Sequence, residues 1–294
     1  MKKLLLIAPM AIVALMFSNC GSDSTDTPGG GGGAVGPGSL GGIDVSAEVE
    51  MKHAVLEDFT GVRCGYCPQG HAIAADLSNT HGEKFMVIAV NAGGYARPVE
   101  GWADFTTSYG DALIAQSAVA GYPAGTVNRI QYGQGQKGGL AMSRGSWSAA
   151  STEVMKQESP VNLGAKATYD ADTRELTVTV ATLYTADGDG ANKINVALLQ
   201  SGMVAKQSGG GDTYVHNHVL RDLVTGQWGE EIPAENTTEG SKFSATYTYT
   251  VPENFNGADI PPGGGVANID DMELVVFVSE GNTNIYTGIK VAID

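Results

Sequence analysis

The sequence predicts an α/β domain followed by an all-β domain of the β-sandwich type, both carried behind an export signal. Two patterns support this division. As far as residue 158, apolar runs alternate with helical patterns, which is typical of an α/β unit. From residue 159 onward, apolar and polar residues alternate with period two, as expected of half-buried antiparallel strands.

Composition narrows the function classes. The chain has 294 residues and a formal net charge of −15. Binding to nucleic acid requires clustered Lys and Arg, so this charge argues against a nucleic-acid partner. The sequence contains three cysteines, namely Cys20, Cys64 and Cys67. The last two form a single dithiol, whose spacing indicates redox chemistry and not a disulfide scaffold.

Residues 1–19 have the features of an export signal. The start is basic, and the apolar run Leu4 to Phe17 is too short to span a bilayer comfortably. The run ends at Leu15-Met16-Phe17-Ser18-Asn19-Cys20, which resembles the lipobox of bacterial lipoproteins. Cys20 is therefore the predicted lipid attachment residue, although Asn19 stands where Gly or Ala is usual. An ordinary secretory signal with an incidental cysteine is the alternative.

Residues 20–46 are rich in Gly, Ser and Asp, a composition that predicts a flexible tether. A lipid on Cys20 would anchor the chain to a membrane, and the tether would hold the folded part away from it. Gly21 carries no obvious inner-membrane retention signal, which favours the outer membrane, on its periplasmic or its cell-surface face.

The first folded domain is predicted over residues 47–158. Residues 85–90 are apolar throughout, which indicates a strand buried on both faces of a parallel sheet. The predicted elements are a strand at 53–59, a helix after the cysteines that stops near 79–82, a strand at 85–90, a helix at 102–116, a strand at 126–127 and a closing helix at 147–156. No final antiparallel strand is evident in the Gly-rich stretch 131–139.

The segment Cys64-Gly65-Tyr66-Cys67 lies at a predicted strand-to-helix junction. The positive end of a helix dipole favours a thiolate, which would make Cys64 the nucleophile. Cys67, one turn later, would resolve a mixed disulfide by attacking Cys64. Two alternatives stay open, an inert structural disulfide and half of a zinc site. Zinc needs further ligands, and no second CxxC exists in the sequence.

Two motifs around the cysteines resemble thioredoxin. Asp58-Phe59 precedes the first cysteine as the buried acid and Phe do there, and Gly121-Tyr122-Pro123 resembles the cis-proline loop. Over residues 50–157, the resemblance implies that Asp58 assists proton transfer from the resolving thiol and that Pro123 contacts the substrate backbone.

Each of these assignments has an alternative. Glu57 could take the inward position and leave Asp58 exposed, because a slip of one residue reverses the faces of a strand. Pro123 could follow an ordinary trans peptide bond. His71, on the helix near the cysteines, could tune the thiolate, but a surface histidine is the simpler interpretation.

The second folded domain is predicted over residues 159–294, with six or more antiparallel strands. His216 and His218 would share one strand face, which suits a metal, but no third ligand is evident and a structural role is favoured. The stretch 201–240 is too long for a plain hairpin loop, and such long loops are often functional.

A wider resemblance covers the exported chain. It rests on the segment around the cysteines, on Val127-Asn128-Arg129, on His216-Asn217-His218-Val219-Leu220-Arg221 and on Gly226-Gln227-Trp228-Gly229. Together these resemble the outer-membrane-protein family of twenty-eight kilodaltons. The resemblance implies an outer-membrane-associated protein that pairs a thioredoxin-like region with a β-rich C-terminal region.

The leading functional hypothesis is a lipid-anchored thiol-disulfide oxidoreductase or isomerase that acts on the thiols or disulfides of exported proteins. Its cysteines would carry the chemistry, so the sequence predicts no cofactor and no metal. A redox partner protein would reset the cysteines, and the β domain would present or recognise partners. The alternative is a non-enzymatic surface binding protein in which the cysteines form a fixed disulfide.

Overall fold

The computed structural model describes residues 40–256 and 265–294. The predicted signal at 1–19 and Cys20 lie outside the described residues. Those that are described form a mostly β protein with mixed sheets and few helices. The α-helices are α1 (Cys67–His81), α2 (Gly110–Gln116) and α3 (Trp147–Val154). None of the helices in the described ranges has the length and apolar character needed to cross a membrane.

The strands in chain order are β1 (Ala54–Thr60), β2 (Phe85–Asn91), β3 (Ala124–Val127), β4 (Met142–Ser143), β5 (Val161–Asp170), β6 (Glu175–Tyr184), β7 (Asn192–Gln200), β8 (Met203–Gln207), β9 (Gly211–His216), β10 (Val219–Leu223), β11 (Glu230–Glu231), β12 (Lys242–Thr250), β13 (Met272–Glu280) and β14 (Thr283–Val291). Over the described ranges they form a large sheet in the order β14-β13-β7-β10-β2-β1-β3-β4, with β11 also beside β7. A small sheet has the order β12-β6-β5, and β8 and β9 form a separate two-stranded hairpin, here named the cap hairpin.

Strands β1 and β2 pair in parallel from Ala54 opposite Phe85 to Thr60 opposite Asn91, and every residue of both strands is buried. This confirms the strand predicted at 85–90. Helices α1 and α3 cover one face of the two strands through a cluster that includes Leu77 and Trp147. Helix α2 lies against the opposite face. Strand β3 runs antiparallel to β1, and β4 runs antiparallel to β3.

The large sheet continues across the predicted boundary at 158/159. Val219 of β10 pairs in parallel with Ala89 of β2, and β10 also pairs with β7. The described residues, 40–256 and 265–294, accordingly belong to one compact unit. Main-chain hydrogen bonds thus join the two regions, 47–158 and 159–294, that the sequence predicts as separate folded domains.

The β-sandwich predicted after residue 159 stays a prediction, because the strands there belong to more than one sheet. The strands after residue 159 divide between the small sheet and the large sheet. Strand β7 is apolar on both faces, so both faces need a cover. Val196 packs with the small sheet, whereas Leu199 packs with Phe277 and with β1 and β2 side chains. The large sheet thus packs against a separate hydrophobic core on each of its two faces.

Three local predictions change. Only Gly110–Gln116 of the helix predicted at 102–116 is helical. The Asp104 side chain instead accepts hydrogen bonds from the Thr106 backbone and hydroxyl, which forms a turn, and Phe105 is buried against the cap hairpin. The final antiparallel strand is β4, which follows the Gly-rich stretch 131–139. The closing helix is confirmed as α3.

The predicted tether at 20–46 ends earlier than expected. Ile43 and Val45 are half-buried, and both lie against Gly164 of the small sheet. The Asn162 side chain donates hydrogen bonds to the carbonyl oxygens of Ser46 and Glu48. The alternating apolar side chains thus attach this segment to the sheet. Residues 20–39 lie outside the described residues.

Candidate functional site

Cys64 and Cys67 form a disulfide at the start of α1. The Cys64 backbone N–H donates to the Gly61 carbonyl, which closes a turn at the end of β1. Helix α1 begins at Cys67, and Pro68 occupies the first turn, where its missing N–H leaves no helical hydrogen bond unmade. The cysteines therefore lie at the predicted strand-to-helix junction. Both are buried, with Cys64 only 2% exposed.

The Tyr122-Pro123 peptide bond is cis, which confirms the predicted cis-proline loop. Sequence reasoning missed Gln136, which holds this loop. The Gln136 amide donates to the Gly121 carbonyl and also accepts from the Gly121 backbone N–H. A Cβ atom on Gly70 of α1 would lie 3.0 Å from the Pro123 Cβ, so α1 packs directly on the loop.

Asp58 and Glu57 point to opposite faces of β1, and both are buried. The alternative of an exposed Asp58 is therefore excluded, because the sheet is covered on both faces. Asp58 faces α1, and its Oδ1 atom has no hydrogen-bond partner among the described residues. Burial raises the pKa of Asp58 to about 8. At neutral pH this carboxyl is mostly protonated and can donate a proton.

His71 lies beside Asp58, with 3.8 Å between His71 Nε2 and Asp58 Oδ2. Its ring nitrogens each lie 2.8 Å from a hydroxyl oxygen, one from Thr60 and the other from Tyr214. Burial lowers the pKa of His71 to about 4, so the ring is neutral at physiological pH. The surface-histidine interpretation is wrong, because Tyr214 of the cap hairpin covers the ring.

A cavity of about 370 Å³ separates α1 from the sheet and the cap hairpin. Asp58, His71, Tyr214 and His216 contribute polar atoms to it, and Pro68, next to Cys67, lines it as well. The polar side chains of His71, Tyr214 and Asp58 are thus mainly uncharged at neutral pH. The cavity therefore presents neutral proton donors and acceptors beside the start of α1.

The two histidines predicted to share a strand face both line this cavity, but they differ in setting. His216 ends β9, and its Nε2 atom has no partner among the described residues. Burial, together with nearby His71, lowers the pKa of His216 to about 4. His218 follows with a left-handed backbone and forms a hydrogen bond with Glu273. Over the described ranges, no group of three or more His, Cys, Asp and Glu side chains is arranged to hold a metal ion.

The cap hairpin is the largest feature that sequence reasoning missed, and it explains the burial of Cys64. The Gln207 amide donates to the carbonyl oxygens of Gly61, at 3.2 Å, and Cys64, at 2.9 Å. The Ser208 backbone N–H donates to the Val62 carbonyl at 2.8 Å. The only sequence signals for this feature were the length of the stretch 201–240 and its Gly-rich centre.

On the opposite face of β1, Glu57 forms a buried ion pair with Arg129. Arg129 Nη2 lies 2.7 Å from Glu57 Oε1, and Arg129 Nε contacts both carboxylate oxygens. The Thr126 hydroxyl donates a further hydrogen bond to Glu57. The guanidinium lies over the rings of Phe277 and Trp228. This pair ties β1 and β3 to β13, which belongs to the C-terminal half of the chain.

Comparison with known families decides the classification. The sequence profile described as outer membrane protein Omp28 matches residues 110–293, which is more than half of the chain. The chain belongs to the Omp28 outer membrane protein family. This confirms the family resemblance and the predicted outer-membrane location. The matched segment includes Pro123, Arg129 and the cap hairpin but begins after Cys67, so membership of the Omp28 family does not by itself assign a role to the cysteines.

Two solved structures from Porphyromonas gingivalis resemble this Omp28 family member. The structure described as HBP35 has a TM-score of 0.64 at 22% identity and covers 83% of this chain and 76% of its own, which indicates a shared fold. A domain of the outer membrane lipoprotein Omp28 is 25% identical over 46% of this chain and 89% of its own, with a TM-score of 0.31. A comparison with curated proteins found no match.

Proposed function

We propose that this Omp28 family member carries out thiol-disulfide exchange on exported proteins through Cys64 and Cys67, held in a thioredoxin-like region. The observation that carries the proposal is the disulfide at the start of α1, a helix that packs on a cis-proline loop and faces the buried Asp58 carboxyl, whose pKa is raised. The parallel pair β1 and β2, with β3 and β4 added antiparallel, supports the thioredoxin-like assignment.

The exchange begins with a client dithiol. One client thiolate attacks the Cys64 sulfur, and the Cys64–Cys67 bond breaks with its electron pair on Cys67. Because Asp58 and Pro68 line one cavity, we assign Asp58 as the proton donor to the Cys67 thiolate. The second client thiolate then attacks the client sulfur of the mixed disulfide and releases Cys64. The client has lost two electrons to the protein, and the reverse sequence reduces a client disulfide.

One observation favours the second candidate, a non-enzymatic binding protein with a structural disulfide. Cys64 is only 2% exposed, and a client cannot reach a sulfur that stays covered. The two functions differ in the reactivity of the reduced protein, and that difference can be measured directly.

The test uses the reduced mature protein in detergent. We expect the alkylation rate of Cys64 to report a thiol pKa below the ordinary value of about 8.5. Equilibration of the cysteine pair with glutathione should give a reduction potential between about −270 and −120 mV. Cys67→Ser should trap exported proteins as mixed disulfides, whereas the matched Cys64→Ser variant should trap none. A potential below about −300 mV together with empty traps would establish the structural disulfide instead.

We also propose that Cys20 carries a lipid that anchors the protein. Cys20→Ala is expected to move the protein from the membrane fraction to the soluble envelope fraction, because the acyl chains supply the membrane affinity. Fractionation and intact-mass measurement check this. Cys64→Ser is the matched control and should stay with the membrane. A Cys20→Ala protein that remains in the membrane fraction would exclude the anchor.

A further inference from the structure

We propose that the tip of the cap hairpin occupies the place of the client backbone, and that the hairpin must leave this place before exchange can begin. This inference rests on the proposed function and names its regulation. The partner it implies is an extended, cysteine-bearing polypeptide segment, which can supply backbone N–H donors beside Cys64 in place of those of the hairpin.

The carbonyl oxygens around Cys64 already accept hydrogen bonds from the hairpin tip. The carbonyl oxygens of Gly61, Val62 and Cys64 accept hydrogen bonds from Gln207 and Ser208 of the tip. A backbone N–H of an extended client would bind the same oxygens, as in peptide recognition along an open strand edge. Client and tip cannot hold these acceptors together, so they compete.

The tip of the cap hairpin also packs very closely against the cysteine loop. A Cβ atom on Gly209 would lie 2.2 Å from the Gly65 carbonyl oxygen, and Gly209 has a φ of 76°. Only glycine allows the tip to approach the cysteine loop this closely. The closed position of the hairpin therefore depends on glycine at residue 209, and a larger residue there should destabilise the closed position.

The cap hairpin belongs to neither of the two larger sheets. Among the described strands, β8 and β9 pair only with each other. The outer side of the cap hairpin faces solvent, with Val204 44% exposed and Val215 48% exposed. Its inner side buries Met203 and Ala205 against Phe105. An element with few strand partners can open without disrupting the sheets.

Opening would act on the acid as well as on the sulfur. Tyr214 of β9 covers His71 and lines the cavity that contains Asp58. Release of the hairpin would therefore expose the cysteines and admit water to the carboxyl together. A client that displaces the tip would meet an accessible Cys64, whereas in the closed protein the disulfide is protected from stray thiols.

The test measures how fast dithiothreitol reduces the Cys64–Cys67 disulfide. Gln207→Ala removes the side-chain donors, and Gly209→Val places a side chain against Gly65. Each is expected to speed reduction about tenfold or more, since each removes contacts of the closed state. Val204→Ala, on the outer side of the same hairpin, is the matched control and should reduce at the wild-type rate.

A deletion variant makes the outcome decisive. Replacing residues 203–216 with a short Gly-Ser linker removes the hairpin outright, and circular dichroism checks that the rest has folded. If the deletion variant, or a Gly209→Val protein with increased amide exchange over 203–216, reduces at the wild-type rate, the hairpin does not gate the disulfide. Faster reduction combined with a potential below about −300 mV would leave the gate intact and overturn the proposed exchange function instead.

Discussion

Arg129→Met is expected to lower the free energy of unfolding by about 3–5 kcal/mol, because it leaves the Glu57 carboxylate buried without its cation. Glu57 and Arg129 are each 2% exposed, and the guanidinium provides most of the hydrogen bonds to the carboxylate. Thr126 would remain as a single neutral donor. Met keeps the length of the side chain and has the same difficulty as Arg in the left-handed conformation of residue 129, where φ is 49°.

Urea unfolding measures this change, and the control is a double variant. Glu57→Gln combined with Arg129→Met replaces both charges, so much of the lost stability should return. A loss below about 1 kcal/mol in the single variant would mean that the pair is solvated and does not join the two halves of the chain. The matched surface variant Lys156→Met breaks an exposed ion pair with Glu153 and should change stability little.

Asp58→Asn is expected to remove a pH dependence of stability that the wild-type protein has between pH 6.5 and 8. The folded pKa of about 8 lies above the model value of 3.8, so the folded state holds a proton that the unfolded chain has lost. The Asp58 contribution to wild-type stability should therefore fall by up to about 1.4 kcal/mol per pH unit as the pH rises through this window.

The choice of window follows from the neighbouring histidines. The folded pKa of His71 is about 4 and that of His216 is about 4, both below the model value of 6.5. Their contribution is present above pH 6.5 and is lost as the pH falls toward 4, which opposes the Asp58 effect there. As the pH rises above 6.5, the histidines of the unfolded chain lose their protons, so this opposing contribution fades and the Asp58 contribution dominates toward pH 8.

The measurement is a urea midpoint series on the oxidised protein, with Asp76→Asn on the exposed side of α1 as the control. We expect the control to follow the wild type and Asp58→Asn to diverge from both as the pH rises. Asp58→Asn should also slow exchange about tenfold or more at pH 7, because the leaving thiolate loses its proton donor. Parallel stability curves for Asp58→Asn and wild type would show that the carboxyl is ionised in the folded protein and would remove it from the mechanism.

Local patterns predicted β2 and α1. Strand β2 was recognised because a run of apolar residues needs cover on both faces, and α1 because its cysteines, Pro68 and stop signal follow general rules. The helix predicted at 102–116 failed in its first half, because Asp104 makes a local turn and Phe105 is needed in a distant cluster.

By itself, the sequence determined the cysteine pair at a helix start, the burial of β2 and the alternation of the later strands, and its resemblance to thioredoxin indicated the cis-proline loop. Tertiary structure alone decided that β10 joins β2, that Tyr214 covers the His71 ring and that the cap hairpin covers Cys64. The physical reason is the sequence separation over which each kind of interaction acts. Capping and periodicity act over a few residues, whereas Gln207 meets Cys64 across 143 positions, and such contacts depend on how the complete chain packs.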